Sequence, residues 1–459
     1  MSRQKLSIRN LLLVGFTLFS MFFGAGNLIF PPFLGAQAGT ASWKAMAGFL
    51  VSAACLPILG VAAVALSDGI EKLCGRVGPR FASIFPLLVY LFIGPCLAIP
   101  RTASTSFEMT VLPAAGALGI DLEGSFLGIE GSFAVQAGYS ALFFCIAVLL
   151  SLRPDRLTER LGKVLCPTLL ILIAVIFTGC LVWPAGTPAG PEASYQAAPA
   201  LTGFLAGYDT MDTLAALNFG IIIAMNVRAK GVTQDGSVVR ETIKAGAAAG
   251  LLLALVYSAL AYVGAPVGRL AGEGANGARI LTYVAGSLFG SAGLAILGFI
   301  FFIACLNTCV GLLCCCSQYF STRFSRLGYR AWMGVFAIAS LFISSAGLDA
   351  ILKISEPVLH AIYPVAIVLI VLSFLSGLIG RDGKVYLWTV SFTAVVSIIY
   401  GAQKAGLAFP GAWLAGWLPG YEAGFGWVLP AAAGAAAGVI VPRCLGGFRK
   451  KEDDGKHGQ

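Results

Sequence analysis

Stretch after stretch of about 20 apolar residues runs through this chain, and nothing else in it narrows the possible folds so far. A bilayer core offers no water to a backbone N–H or C=O, so each crossing segment must satisfy its own hydrogen bonds as a helix. The apolar runs lie near 9–36, 41–66, 81–104, 133–151, 161–183, 200–227, 242–266, 291–320, 331–347, 350–378, 385–402 and 424–442. They predict an all-α integral membrane protein of twelve transmembrane helices. With 58% hydrophobic and only 11% charged residues, the chain has no stretch able to fold as a separate soluble domain. An average soluble domain carries roughly 25% charged residues.

The net charge of +9 could suggest a nucleic-acid partner, but its placement argues for topology instead. Most of the 30 Lys and Arg residues fall before Asn10, in 68–80, 153–163, 228–244, 323–330 and 381–384, and in the tail after Pro442. The exceptions are Lys44, Arg101, Arg269, Arg279, Lys353 and Lys404. The favoured segments all lie on one side of the predicted membrane, which the positive-inside rule makes cytoplasmic, with both termini there. "MSRQKLSIRN" (1–10) looks like the basic region of a signal peptide. The apolar run behind it is too long for a cleaved signal, so it is read as the first, uncleaved span. The expectation is a single membrane transport domain over 1–442 and a disordered cytoplasmic tail over 443–459.

The first span contains "FGAGNLIFPP" (23–32), which a continuous helix would avoid. Gly costs about 1 kcal/mol and Pro about 3 kcal/mol relative to Ala in a helix interior. One reading is a kink that serves only packing. The other is a helix broken at mid-membrane, with free carbonyls around Ser20 to Phe23 and free N–H groups around Ala25 to Asn27. Such ends suit a cation and a carboxylate, and the glycines let a ligand approach the backbone closely.

The sixth span repeats the pattern. "GFLAGYDTMDTLAALNFGIII" (203–223) sets Gly203, Gly207, Tyr208, Asp209, Thr210 and Asp212 in an otherwise apolar segment. A charged side chain at a helix centre costs at least about 2.5–3.5 kcal/mol. Breaks in spans one and six divide the chain into five, five and two spans, about 9–183, 200–378 and 385–442. Because five is odd, the second set enters the membrane from the opposite side. Matching breaks in an inverted repeat point to a transporter's binding site. In the eighth span, "IACLNTCVGL" (303–312) adds Asn307 and Thr308, whose oxygens suit a small alkali cation, although Thr commonly bonds back to its own helix.

Other signals are bland. The 12 cysteines lie almost entirely in apolar stretches without CxxC spacing, which suits buried packing better than zinc. Cys305, Cys309 and Cys316 share one helical stripe, which leaves a thiol or metal site conceivable. His360 and His457 cannot form a histidine-based centre together.

"FGAGNLIFPPFLG" in span one, "IPRTASTSFE" (99–108) in span three, "GYDTMDTLAAL" (207–217) in span six and "ACLNTCVGL" (304–312) in span eight resemble the bacterial branched-chain amino acid:cation symporter family. The resemblance covers essentially the whole chain. It implies a LeuT-type five-plus-five inverted repeat with two added C-terminal helices, in the bacterial inner membrane. It further implies import of leucine, isoleucine and valine with sodium or, in some members, protons, and no other cofactor. Carried over by position, Gly24, Ala25, Gly26 and Asn27 would hold the substrate carboxylate. Gly207, Tyr208, Asp209 and Thr210 would face its amino group, and Ser20, Phe23, Asn307 and Thr308 would surround the sodium ion. Position 209 is usually Leu in the family and 307 is usually Thr, Val or another small residue, so Asp209 and Asn307 are departures. Asp209 could cap the inner half-helix or read the solute. Asp212 fits structure or coupling. Arg101, Lys353 and Glu356 fit an outer gate or interface anchors. Phe22, Phe23, Leu28, Ile29 and Phe219 are the expected apolar pocket.

No Walker A motif is present, so uphill transport would draw on an ion gradient. One cation crossing 100 mV releases about 2.3 kcal/mol, enough for roughly a 50-fold substrate gradient. The alternatives are a symporter of this fold for another neutral or cationic amino acid, proton coupling, a channel, a receptor and, remotely, a membrane-embedded enzyme.

Overall fold

The computed structural model describes residues 5–119, 125–126, 129–152, 163, 165–184, 186–268, 270, 276–379, 383–407, 414 and 416–440. The tail 443–459 and the acidic residues Asp121 and Glu123 lie outside them. The main helices follow in chain order among these residues. They are α1 (Ile8–Phe22), α2 (Ala25–Ala38), α3 (Ser42–Leu50), α4 (Leu56–Ser67), α5 (Ile70–Gly75), α6 (Pro79–Leu91), α7 (Ala98–Ala117), α8 (Gly131–Ser151) and α9 (Cys166–Val182). Then come α10 (Ala193–Gln196), α11 (Pro199–Ala206), α12 (Asp212–Ala229), α13 (Asp235–Gly264), α14 (Gly277–Arg323), α15 (Tyr329–Ser344), α16 (Leu348–Ile379), α17 (Gly383–Lys404) and α18 (Val428–Ile440). A two-stranded antiparallel pair, Ser125–Phe126 with Ile129–Glu130, lies between α7 and α8.

Seven helical stretches are long and apolar enough to cross a membrane among the described residues, and the bent pair α11–α12 makes an eighth. Four shorter apolar helices, α1, α9, α15 and α18, occupy four of the remaining predicted spans. Apolar side chains also cover outward faces at helical spacing: Leu251 and Leu255 on α13, Ile338 and Phe342 on α15, Val395 and Ile398 on α17. Water penalises such faces and lipid accepts them. The chain is a multi-pass membrane protein.

The interruptions fall where glycine and proline stand. α1 stops at Phe22, and Phe23 and Gly24 are extended before α2 begins. π-helical turns join α3 to α4 at Val51–Cys55 and lead from α6 toward α7 at Phe92–Cys96, the second around Gly94 and Pro95. α14 is broken at Gly290, whose φ of 58° and ψ of −138° an L side chain rarely adopts. The eighth predicted span begins just beyond that residue.

The chain forms two compact units, Met1–Ala65 with Val89–Ser355, and Leu66–Leu88 with Glu356–Gln459. Within the first, α14 runs along α7, α11 lies on α3, and α2 packs between α13 and α14. Small residues permit these close approaches. A Cβ added at Gly35 would run into the backbone of Ala261, and one at Gly264 into the backbone of Pro32. Within the second unit, Arg76 donates to the Tyr386 hydroxyl at 2.9 Å and to Ser67 Oγ at 3.2 Å, and its guanidinium lies over the Tyr386 ring. Lys404 Nζ meets Glu356 Oε1 at 2.6 Å, and Tyr400 stacks on Tyr421.

The α2–α13 seam yields a stability prediction. Gly264→Val drives a side chain into the Pro32 backbone and should destabilise by about 1–3 kcal/mol, the usual range for overpacking. Gly138→Ala, where a Cβ meets nothing within 4 Å, should leave the melting temperature unchanged or slightly raised. Thermal unfolding in detergent reads both.

Candidate functional site

The two broken spans meet at one place. At the first break, Phe23 N–H still donates to Phe19 O, while Gly24 N–H donates to Asn27 Oδ1 at 3.2 Å. Asn27 therefore reaches back from the first turn of α2 and satisfies a donor that the break exposed. Ala25 and Gly26 begin the helix, where N–H groups have no intrahelical acceptor. At the second break, Gly207–Thr210 form a 3-10 turn, and Met211 is left-handed at φ 64°. A non-glycine residue pays roughly 1–2 kcal/mol for that conformation. The axis bends by 49°. Thr210 Oγ1 donates to Gly207 O at 2.8 Å and accepts from Asp212 N–H at 3.4 Å. Thr210 thus supplies an oxygen to the first N–H of the inner half-helix.

Asp212, the first residue of α12, ties the breaks together. Its Oδ2 accepts from Asn27 Nδ2 at 2.6 Å and from the Tyr257 hydroxyl of α13 at 2.8 Å, and Asn27 Nδ2 also contacts that hydroxyl. All three residues are buried. A carboxylate is favoured at a helix N-terminus, and charge-assisted hydrogen bonds offset part of its desolvation.

Beside this cluster is a small cavity. Gly24, Ala25, Gly26 and Asn27 of the first break and Thr210, Met211, Asp212 and Ala215 of the second line it, with Arg101 and Thr102 of α7 and Thr308 of α14. Met21, Phe22, Ile93, Ala98 and Leu312 supply apolar wall. Phe219 packs beneath through its ring contact with Phe22, at 5.4 Å between centroids. The glycines are needed for closeness. A Cβ at Gly24 would stand 2.5 Å from Thr308 Oγ1, and one at Gly26 would stand 2.7 Å from Arg101 Nη2.

The remaining sequence candidates stand behind this wall. Gly207 is buried against Ser52, whose Oγ a Cβ would strike. Tyr208 is buried edge-on to Phe204. Asp209 is half-buried and does not line the cavity; its backbone carbonyl accepts from Arg101. Burial raises the hydroxyl pKa of Tyr195, in the connecting segment, and the charges of Asp209 and Glu192 raise it further, which places the Asp209 carboxylate near that segment. Ser20 Oγ accepts from Asn307 Nδ2 at 2.7 Å. Phe23 stacks on Phe19 and Tyr257. Of the expected apolar pocket, Phe22 lines the cavity, whereas Phe23, Leu28 and Ile29 are not part of its lining. Asn307 Oδ1 and Thr308 Oγ1 are buried oxygens without a hydrogen-bond partner. The cysteines of α14 are buried and free, and no cluster of His, Cys, Asp or Glu suited to a metal occurs among the described residues.

Two participants were not read as site residues from sequence. Arg101 looked like a gate or interface residue, yet it is only 4% exposed and donates to Asp209 O at 2.8 Å and to Thr210 O at 3.4 Å. Its signal was an arginine inside an apolar span. Tyr257 gave only the weaker signal of one hydroxyl among several in the seventh span, beside Ser258 and Tyr262. Glu356 instead pairs with Lys404, and Lys353 is exposed.

Residues 7–445 match the family described as "Branched-chain amino acid transport protein". The chain is 38% identical over 448 residues to the branched-chain amino acid permease BraB of Bacillus subtilis, covering 97% of this chain and 98% of that one. It is also 38% identical over 445 residues to the branched-chain amino acid transport system 2 carrier protein of Pseudomonas aeruginosa, covering 95% and 97%. This chain belongs to the branched-chain amino acid transport protein family. Among solved structures it resembles MhsT in complex with L-phenylalanine, with a TM-score of 0.55 at 16% identity, covering 88% of this chain and 100% of that one. It also resembles Mhp1, a nucleobase-cation-symport-1 family transporter, with a TM-score of 0.57 at 12% identity over 95% and 93%. At such identities the likeness concerns the fold alone. Family membership makes the chain a transport protein of the bacterial membrane rather than an enzyme.

Tyr257→Phe removes one donor from a buried carboxylate and should cost about 1–3 kcal/mol of stability. Asn27→Ala, which also uncaps Gly24, should cost more; melting curves in detergent compare the two. Asp209→Leu should leave the order of competing amino acids unchanged, because the side chain does not face the cavity. A competition panel in uptake assays checks it, and a reordered panel would return Asp209 to substrate selection.

Proposed function

We propose that this protein imports leucine, isoleucine and valine across the bacterial inner membrane by symport with sodium, and that the cavity between the two breaks is the solute site. The observation that carries the reading is the convergence of both interrupted spans on one buried, partly apolar cavity. Its relatives are named as branched-chain amino acid permeases and carriers. A zwitterion matches the wall: the first N–H groups of α2 at Ala25 and Gly26 suit its carboxylate, with Gly24 and Asn27 shaping that end. The ammonium group would lie toward Thr210 and the Asp212 carboxylate, while Gly207, Tyr208 and Asp209 form the bend that presents them. Met21, Phe22, Ile93, Met211 and Leu312 would receive the branched side chain. One methylene is worth about 1–3 kcal/mol in such a pocket, so the three substrates should compete.

Sodium would lie beside Thr308, with the α1 carbonyls near Ser20 and Phe23 and with Asn307 Oδ1 close by. The two partnerless buried oxygens support this placement, since a buried acceptor without a donor is costly unless a cation or water meets it. The twelve apolar segments would make twelve crossings, five and five in inverted repeat and two more, as one transport domain over 1–442 with cytoplasmic termini. A second reading is proton coupling, favoured by one observation, the buried Asp212 carboxylate on the cavity wall.

Labelled leucine uptake into proteoliposomes distinguishes these. An inward sodium gradient should drive an overshoot that excess isoleucine or valine abolishes, and Thr308→Ala should reduce it at least tenfold. An overshoot driven only by protons would replace sodium with Asp212 chemistry. No leucine uptake in vesicles active toward another solute would overturn the substrate.

A further inference from the structure

We propose that Arg101 is the residue by which this transporter selects solutes carrying an α-carboxylate, an inference that rests on the cavity being the amino acid site. Among the residues lining the cavity, Arg101 carries the positive charge and Asp212 the negative one; the rest are apolar, glycine, hydroxyl or amide. A solute entering this space therefore meets one cation and one carboxylate. A guanidinium stays charged at any physiological pH, and its planar fork of donors matches a carboxylate.

Arg101 is placed for that task by elements from three spans. α7 carries it just beyond the π-helical turn at Phe92–Cys96. The unwound carbonyls of Asp209 and Thr210 fix its Nη1 and Nη2. The Phe30 ring lies 5.8 Å from its Cζ, and Gly26 leaves room for Nη2 where any side chain would intrude. Held in this way, the guanidinium adjoins the start of α2, where backbone N–H groups also point at an anion. Arg101 and the first N–H groups of α2 thus present positive charge to one part of the cavity, where a solute's carboxylate is received, with Asp212 as the resident negative charge on the same wall. The same contacts make Arg101 a reporter of the second break, because a carboxylate drawn to it would brace the bend at Gly207–Thr210.

The test compares L-leucine with L-leucinamide, which has the same side chain and amino group but no carboxylate. Dissociation constants are read from ligand-dependent thermal shifts of the full chain in detergent. For wild type, leucine should bind far more tightly than leucinamide. R101Q should weaken leucine roughly 100-fold, as loss of a buried charge-assisted contact does, and leucinamide less than about threefold. The preference would then collapse. R101K, which keeps the charge but loses the fork, should weaken leucine roughly tenfold with leucinamide little changed, and it carries the test should R101Q not fold. Equal weakening of both ligands overturns the proposal and leaves Arg101 a brace for the Asp209 and Thr210 carbonyls. A wild type that binds neither leucine, isoleucine nor valine overturns the amino acid site itself, and the proposal with it.

Discussion

The hydrogen bond from Asn27 Nδ2 to Asp212 Oδ2, 2.6 Å long and fully buried, joins the two places where the membrane helices come apart. A bilayer core punishes every backbone group left without a partner, by several kcal/mol each. Two adjacent breaks are tolerable because side chains take over what the helices release. Asn27 Oδ1 accepts from Gly24, Thr210 Oγ1 accepts from Asp212, and Arg101 donates to the carbonyls of Asp209 and Thr210. Tyr257 locks the cluster to a third helix. Ala25, Gly26, Thr210 and Thr308 line the small cavity beside these breaks.

This arrangement explains why so many small residues stand in otherwise oily helices. Gly24 and Gly26 clear space for Thr308 and Arg101, Gly207 for Ser52, and Gly35 and Gly264 for the opposing backbones of α13 and α2. Close backbone packing keeps the two half-helices in register, so the cavity is shaped by rigid elements instead of by mobile loops.

Much of the architecture was legible beforehand. The apolar runs marked the helices long enough to cross a membrane, seven or eight among the described residues, since length and hydropathy are local properties that a bilayer reads directly. The breaks at Gly24 and Gly207 were visible because glycine and buried polar residues have a cost that only a special purpose repays. The capping of the inner sixth half-helix was less legible: Asp209 and Thr210 are adjacent and both can cap. Thr210 Oγ1 accepts from Asp212 N–H across the left-handed Met211, a turn that no local pattern announces. Asn307 read as a cation ligand, yet its amide nitrogen is spent on Ser20, and only its oxygen lacks a partner.

Sequence alone determined that the chain crosses a membrane repeatedly, that its first and sixth spans break, and that the family signature sits on those breaks. Each of these is written in consecutive residues, as hydropathy, helix propensity or motif. Tertiary structure decided which side chains share the cavity. Asn27, Asp212 and Tyr257 are separated by 185 and 45 residues in the chain and still converge on one oxygen atom. Arg101 comes to the second break from 108 positions away. Hydrogen bonds of that kind depend on how helices rotate about their axes when they pack, and no local pattern of residues encodes that rotation.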